Sequence, residues 1–433
     1  MAVTRFVFLA RQTLRKLWVR ISVFAVASVA VVAVAPLISR VLPDWLARIE
    51  AGEAIGSILT ILASSMLAVT TFSVSIMVAA FGVAAGSGTP RAVALLKEDS
   101  TSQMVLATFL GSFLFSLSGL IGIRSGTFDA GARVVLFFVT LVVTLAIVVA
   151  LVRWITHLSN FGRLDDTIER VEAVASAAMQ ERVAKPYLGG VPAGPETSGW
   201  TLVMSETTGY LCHIDMPALQ ELASARAMDG SGPKVLIKVL PGAFVRRGSP
   251  LAAVSPDFAP DKDPKVAKDE LGQIRRAFSI ANNRTYDQDP RFGLLVLSEI
   301  AERALSPAVN DPGTAVDVLG RQYRILENWT AWDEDAVAEY PLVAVPGLAM
   351  LDLLEDAFAA IARDGAGVFS VQMRLQKLVL ALAQLKPGLF AAPARRLSER
   401  AMAEARSSGL YADDLARLDV VHASLAEVQR AAP

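Results

Sequence analysis

The chain has few of the residues that build disulfides and transition-metal sites. Cys212 is its single cysteine among 433 residues, and His157, His213 and His422 are its three histidines. One cysteine cannot close a disulfide within the chain, and a Cys-rich zinc site needs several. Three scattered histidines also argue against a histidine cluster for zinc or haem. We therefore expect no metal and no cofactor.

A surplus of charge of either sign is also missing. The chain carries 41 basic and 42 acidic residues, for a net charge of −1. Proteins that bind nucleic acid show a basic surplus, so we expect no nucleic-acid partner. Apolar residues are abundant instead: 53% of the chain is hydrophobic and its mean hydropathy is +0.45. Most of this excess lies before residue 153.

Four long runs without a charged residue account for that excess. They cover 21–39, 55–85, 104–123 and 134–152. About 20 apolar residues cross a bilayer as a helix. The runs therefore predict a membrane α-helical domain of four transmembrane helices over 1–152, with the lipid bilayer as partner. The second run has 31 residues, so it must tilt or project beyond the lipid.

The distribution of lysine and arginine predicts the orientation of these helices. Ten basic residues fall on one side: Arg5, Arg11, Arg15, Lys16, Arg20, Arg91, Lys97, Arg153, Arg163 and Arg170. Four fall on the other: Arg40, Arg48, Arg124 and Arg133. The richer side should be cytoplasmic. We expect a multi-pass membrane protein with both termini in the cytoplasm. Arg91 and Lys97 are either contacts to anionic lipid or ordinary positive-inside residues.

The second run carries a stripe of hydroxyl residues. Its members, spaced by three, four, seven and four, are Ser57, Thr60, Ser64, Thr71 and Ser75. This spacing places them on one side of a helix. Small residues of this kind let membrane helices pack closely, which is one interpretation. The other is a hydroxyl-lined pathway in an oligomer.

The rest of the chain divides into three segments with different predicted secondary structure. Residues 153–199 predict an amphipathic helical stalk, continuing the fourth span, and then a Gly/Pro-rich linker. Residues 200–257 contain short β-like segments and predict a small β-barrel or sandwich. Residues 258–433 predict a helical subdomain. Together they predict a cytosolic α+β region.

The β-like segment contains PGAFVRRGSPL, in which two glycines mark a turn between strands. It resembles the PGxxVxxGxxL turn of barrel-sandwich-hybrid domains, the fold of biotinyl and lipoyl carriers. Those carriers hold a modifiable lysine on a hairpin, whereas Lys234 and Lys238 lie at or in a predicted strand. The resemblance therefore implies a barrel-sandwich-hybrid-like fold without a carried cofactor.

The polar signature, residues 284–315, reads RTYDQDPRFGLLVLSEIAERALSPAVNDPGTA. Asp289-Pro290 and Asp311-Pro312 each precede an apolar periodic segment. Aspartate at the N-cap accepts a backbone N–H of the first turn, and proline at the next position loses no hydrogen bond. We therefore expect one helix over about 290–305 and a second from residue 312.

Six polar residues of the signature are not explained as helix caps. They are Arg284, Asp287, Gln288, Glu299, Arg303 and Asn310. Arginine binds phosphate or carboxylate groups bidentately, and two carboxylates can hold a hard cation. The six residues therefore form either a buried structural network or subunit interface, or a site for a small anionic ligand or a cation. No known catalytic motif is present, and we expect no enzyme activity.

The signature closely resembles the RTxxQDxxFGxxxLxEIAxRALSPxxNDPxTA pattern of the bacterial membrane proteins catalogued as domain of unknown function 2254. Thr89-Pro90-Arg91, with Asp99 and Gln103, is similar to the SPR…D…Q loop of that family. Thr156-His157 stands where the family has two adjacent histidines. The resemblance covers nearly the whole chain and implies four spans followed by a cytosolic half. It implies no activity.

Two functions fit these observations. The first is a homo-oligomeric channel with a cytosolic regulatory domain, supported by the hydroxyl stripe. The second is a membrane-anchored sensor or scaffold whose cytosolic domain binds a ligand or a protein partner. A membrane enzyme is the weakest alternative, because no nucleophile–base pair or metal motif is present.

Overall fold

A computed structural model of the chain describes residues 17–39, 52–97, 99–158, 161–194, 199–225, 232–256, 264–333 and 336–431. The chain divides into two compact units. They are an N-terminal unit, Leu9–Thr167, and a C-terminal unit, Ile168–Pro433. Six residues that entered the orientation prediction lie outside the described residues: Arg5, Arg11, Arg15, Lys16, Arg40 and Arg48.

The N-terminal unit is helical. Its elements are α1 (Leu17–Ile38), α2 (Gly52–Ser87), α3 (Pro90–Lys97), α4 (Ser100–Arg124) and α5 (Ala130–Leu158). All except α3 are long and apolar enough to cross a membrane, which confirms the four predicted spans. At about 1.5 Å per residue, α2 is about 54 Å long, so it exceeds the roughly 30 Å of a hydrocarbon core.

Helix α4 forms the centre of this unit. Half of the most apolar stretch of α4 is buried, whereas only 11% of the corresponding stretch of α1 is buried. Close approach of neighbouring helices requires glycine on α4. A Cβ atom at Gly111 would lie 3.1 Å from the hydroxyl oxygen of Ser28, and one at Gly122 would lie 2.4 Å from the ring of Phe128. Small residues thus allow close packing around α4.

The fourth span does not continue as one helix. Helix α5 ends at Leu158, a turn contains Phe161 and Gly162, and α6 (Leu164–Ala184) begins a new helix. Gly162 has φ +82°, and a Cβ atom there would lie 3.0 Å from the carbonyl oxygen of Ala80. A left-handed residue interrupts an α-helix, so the prediction of a continuous stalk is wrong.

The C-terminal unit contains two sheets with helices around them. The strands are β1 (Gly190–Pro192), β2 (Thr201–Met204), β3 (Gly209–Ile214), β4 (Val235–Ile237), β5 (Phe244–Val245), β6 (Pro250–Val254), β7 (Phe278–Ala281) and β8 (Tyr340–Val345). One sheet has the order β1-β8-β4-β6-β2, and the other has the order β5-β3-β7. β8 pairs in parallel with β1 and β4, while the other pairs are antiparallel.

Both sheets contribute to one apolar core. Val235 and Ile237 of β4 and Val254 of β6 face this core, together with Leu211 of β3. The opposite face of β4 and β6 is covered as well, because Leu236 and Ala253 belong to a second buried cluster. Strands buried on both faces have continuous apolar sequences, which explains why these segments show no alternation.

The structure agrees with the predicted α+β region, but it does not confirm the barrel-sandwich-hybrid-like fold. Among the described strands no closed barrel forms; two open sheets share a core instead. Strands β7 and β8 come from the stretch expected to be helical. Leu271, Ile274 and Phe278 recur at helical spacing, but α8 (Pro264–Arg276) ends before Phe278. Strand β8 contains Pro341, which removes one hydrogen-bond donor from the ladder.

The C-terminal unit contains further helices, two of which carry the polar signature. They are α7 (Met216–Ser224), α9 (Pro290–Leu305), α10 (Pro312–Glu327), α11 (Met350–Asp364), α12 (Phe369–Leu385), α13 (Pro387–Ser407) and α14 (Ala412–Ala431). Asp289 accepts the amide of Phe292, and Asp311 accepts that of Thr314. Both predicted helix starts are therefore confirmed.

Candidate functional site

The first residues of the signature form a compact group at the start of α9. The guanidinium of Arg284 binds the carboxylate of Asp289 through Nη2 at 2.7 Å and Nε at 2.8 Å. Asp289 is 1% exposed. Burial raises the pKa of Asp289, while the neighbouring Arg284 acts in the opposite direction. Arg284 also lies 5.0 Å from the ring centroid of Phe292, within cation–π range.

Two contacts join this group to the sheets. The side-chain amide of Gln288 accepts the backbone N–H of Ile214 at 2.9 Å and donates to its carbonyl at 3.2 Å. Gln288 thus pairs with the end of β3 as a strand residue would. Gly242 has φ +97°, and a Cβ atom there would lie 2.3 Å from the Asp289 carboxylate. The predicted glycine turn therefore leaves room for the helix cap.

Arg182 is a member of this group that the sequence did not indicate. It lies on α6, is 4% exposed, and donates through Nη2 to the carbonyl of Gln288 at 3.1 Å. Burial lowers the pKa of Arg182 to about 10, against the opposing charge of Asp289. Its spacing of three from Met179 places it on the buried face of α6. The sequence feature that could have indicated Arg182 is a charged residue on the apolar face of an amphipathic helix.

Three of the other four candidate residues lie farther along α9 or in the loop that follows it. Glu299 is half-buried and Arg303 is exposed along α9, while Asn310 is exposed in the loop after it. Asn310 has φ +51°, a conformation that asparagine tolerates better than most residues. Because α9 has 16 residues and is about 24 Å long, Asn310 lies at the opposite end from Arg284. Asp287 is half-buried beside Gln288, before the helix. The six residues therefore do not converge on one point.

Neighbouring ion pairs connect α9 and α6 to other helices. Arg291 binds Asp352 at 2.7 Å and Asp356 at 2.5 Å on α11. Glu172 of α6 binds Arg321 at 2.9 Å and Arg324 at 2.7 Å on α10. A Cβ atom at Gly293 would lie 2.2 Å from Cβ of Ala175, so α6 and α9 are in close contact. The signature is a junction between helices and sheets.

The second polar group belongs to the N-terminal unit. Asp99 caps α4 by accepting the amide of Ser102 at 2.6 Å, and the same carboxylate oxygen lies 3.0 Å from Nε2 of His157. The Ser102 hydroxyl also contacts Nε2, at 3.2 Å. In a nucleophile–base–acid triad, serine and carboxylate use opposite ring nitrogens. This group therefore joins the start of α4 to the end of α5 and has no triad geometry.

The hydroxyl stripe lies on the outer face of the N-terminal unit. Its five members are exposed: Ser57, Thr60, Ser64, Thr71 and Ser75. The buried face of α2 carries Ile55, Leu59, Met66, Ser73, Met77 and Ala84. At about 100° per residue the two sets lie roughly 150° apart. The stripe is therefore not used for packing within the subunit.

Comparison with known families identifies the chain. The family model described as "Predicted membrane protein (DUF2254)" matches residues 14–381. The chain belongs to this family. The match contains all four long apolar helices, the Asp99–His157 group and the whole polar signature, and it ends within α12.

Relatives of this DUF2254 protein include uncharacterised proteins of Mycobacterium bovis and Mycobacterium tuberculosis. Each is 28% identical over 279 residues, which covers 62% of this chain and 51% of the relative. The aligned region thus spans about half the length of these relatives. No solved structure matches the chain.

Proposed function

We propose that this DUF2254 protein forms a homo-oligomeric ion channel in which α2 of each subunit lines the pore. One observation carries the proposal: the hydroxyl stripe faces away from the subunit's own core. The oxygen lone pairs of these hydroxyls find no donor in lipid, whereas a water-filled path offers one. Assembly of several subunits around the stripe would supply that path.

The length of the stripe supports this proposal. Ser57 and Ser75 are 18 residues apart, so the stripe extends about 27 Å along the helix axis. A hydrocarbon core is about 30 Å thick. The stripe therefore has the length of a complete path across the apolar part of a bilayer.

The hydrogen bonds of the stripe favour cations as the transported species. The hydroxyls of Thr60 and Ser64 donate to the carbonyls of Gly56 and Thr60, at 2.8 and 3.0 Å. Those of Thr71 and Ser75 donate to Leu67 and Thr71, at 2.9 and 3.0 Å. Each proton is thus used within the helix, and the oxygen lone pairs remain for the pore. Oxygen acceptors replace the hydration shell of a cation.

The channel proposal also includes a cellular location and a role for the C-terminal unit. The mycobacterial relatives support a bacterial inner-membrane location. The distribution of basic residues supports an orientation with both termini in the cytoplasm. The C-terminal unit would then be the cytosolic regulatory domain. No catalytic role is proposed for any residue.

The test is ion flux through the full chain reconstituted in liposomes, with its reversal potential in a salt gradient. We expect potassium flux with little chloride flux. Thr71→Val removes an outward oxygen acceptor and should lower the flux about fivefold, the rate equivalent of roughly 1 kcal/mol. Thr70→Val is the matched control, because Thr70 is half-buried and bonds to Met66 at 2.6 Å. Absence of flux at high protein loading, or equal effects of both variants, would contradict the proposal.

A second candidate function is a membrane-anchored sensor or scaffold whose C-terminal unit binds a small ligand or a protein partner. A cavity of about 90 Å³ in that unit favours it. The cavity is lined by Lys185 and Glu339, which pair at 3.0 Å, and by Tyr187. Tyr187 has φ 54°, a strained conformation for an aromatic residue and one often found at binding sites.

A further inference from the structure

Four arginines gather at one end of the N-terminal unit, which we call the basic end. They are Arg20, Arg91, Arg153 and Arg163. Helix α4 begins at this end, and α2 and α5 finish there. Arg91, Arg153 and Arg163 are exposed and Arg20 is half-exposed.

Contacts around the start of α4 place Arg20 and Arg153 near its first turn. Arg20 of α1 donates through Nη1 to the carbonyl of Ser100 at 3.5 Å. Arg153 stands one helical turn before His157 on α5, and His157 contacts Ser102. Two chain segments, α1 and α5, thus bring basic residues close to the first turn of α4.

Helix α3 fixes Arg91 in this arrangement. Ala92, Val93 and Leu96 are buried, and Val93 and Leu96 pack with Leu106 of α4 and Phe161. Arg91 is on the exposed side. Arg163 follows Phe161, whose ring lies 5.8 Å from that of Phe81 on α2. A short amphipathic helix thus lies against the unit where membrane helices end.

Three aspartates are also described at this end of the N-terminal unit. Asp99 is 7% exposed and engages His157 and the first turn of α4. Asp165 and Asp166 lie in the first turn of α6, where they complement the positive end of the helix dipole.

We propose that the basic end binds the headgroups of anionic phospholipids. Guanidinium groups bind phosphate oxygens bidentately, and basic residues beside a membrane helix are attracted to an anionic leaflet. The four arginines lie near the ends of α1, α2 and α5, which are apolar and long enough to cross a membrane, and the proposal places the lipid headgroups there. This proposal does not depend on the channel function.

The test is thermal unfolding of the purified full chain in neutral detergent, titrated with phosphatidylglycerol, phosphatidylcholine or inorganic phosphate. We expect phosphatidylglycerol alone to raise the unfolding midpoint. Each of Arg91→Gln and Arg153→Gln should weaken the apparent lipid affinity about fivefold, the equivalent of the attraction of one basic residue to an anionic surface. Arg91→Lys and Arg153→Lys keep the charge and should keep most of the effect. Arg124→Gln, at the opposite end of α4, is the matched control.

Several outcomes would overturn the proposal. Equal stabilisation by phosphatidylcholine would show that any lipid suffices, and equal stabilisation by inorganic phosphate would show that no lipid is needed. A similar loss for Arg124→Gln would remove the assignment to the basic end. Unchanged affinity in the double variant Arg91→Gln and Arg153→Gln would show that these arginines do not bind the headgroup.

Discussion

Single residues of the polar signature have specific structural partners. Arg284 pairs with the carboxylate that caps α9, and Gln288 pairs with the backbone of β3. Arg182 joins both to α6 through the carbonyl of Gln288. Buried polar groups are stabilising only when their hydrogen bonds are made. The density of polar residues in this stretch thus reflects the number of elements that meet there.

Gly242 gives a test of this junction at the residue scale. Gly242→Ala places a methyl group 2.3 Å from the Asp289 carboxylate at a residue with φ +97°. We expect a loss of roughly 3 kcal/mol, from the left-handed backbone, the displaced cap and the weakened ion pair. Gly248→Ala is the control, because Gly248 has φ +83° with open space around it. That change should cost about 1 kcal/mol. Denaturant unfolding of both variants measures the difference, and equal losses would refute the role of Asp289.

At the scale of elements, α6 is held firmly in the C-terminal unit. Glu172 receives hydrogen bonds from Arg321 and Arg324 of α10, and Ala175 lies against Gly293 of α9. Arg182 adds its contact before α9. From Ile168 onward this helix is therefore part of the C-terminal unit rather than a free stalk.

Glu172 gives a pH-dependent test of this attachment. Burial acts to raise its pKa, but the hydrogen bonds from Arg324 and Arg321 outweigh burial, so the pKa of Glu172 lies below its usual value. A lowered pKa in the folded state means that the stabilisation is present above the unfolded pKa of about 4.3. It is lost as the pH falls through the folded pKa.

We therefore expect Glu172→Gln to lower the free energy of unfolding near neutral pH and to have little effect in acid. The loss should be about 1 kcal/mol, because Arg324 is 54% exposed and solvent screens the pair. Asp317→Asn is the control, since it removes a partner of Arg321 on the same helix without breaking the contact to α6. Unfolding curves at pH 7 and pH 3.5 compare the variants. A loss that is independent of pH would contradict the ion-pair explanation.

The membrane helices were the most predictable elements. Four apolar runs of sufficient length can only be satisfied as helices in lipid, and each became a helix longer than its run. The short strands of the C-terminal unit were less predictable. β2, β3, β4 and β6 agree with their β-like segments, whereas β7 and β8 were missed. A strand of four to six residues has too few positions for its period to be distinguished from that of a helix.

At the scale of the whole molecule, the two candidate functions predict different assemblies. A channel lined by α2 requires several subunits around a common axis, so that the hydroxyl stripes face one another. An anchored sensor requires no such arrangement. We expect particle images of the detergent-solubilised protein to show a closed ring with an axial cavity. A monomer, or a dimer without a central path, would contradict the channel and favour anchoring.

The sequence alone determined the parts of this protein that depend on local composition. The lengths of apolar runs predicted four membrane helices, Asp-Pro pairs predicted the starts of α9 and α10, and the signature pattern identified the family. The tertiary structure determined which residues from distant parts of the chain lie in contact. Only the folded chain places Arg182 beside Gln288, Gly242 beside Asp289, and the hydroxyl stripe on the outer face of α2. These contacts join residues far apart in the chain, and local propensity carries no information about such distances.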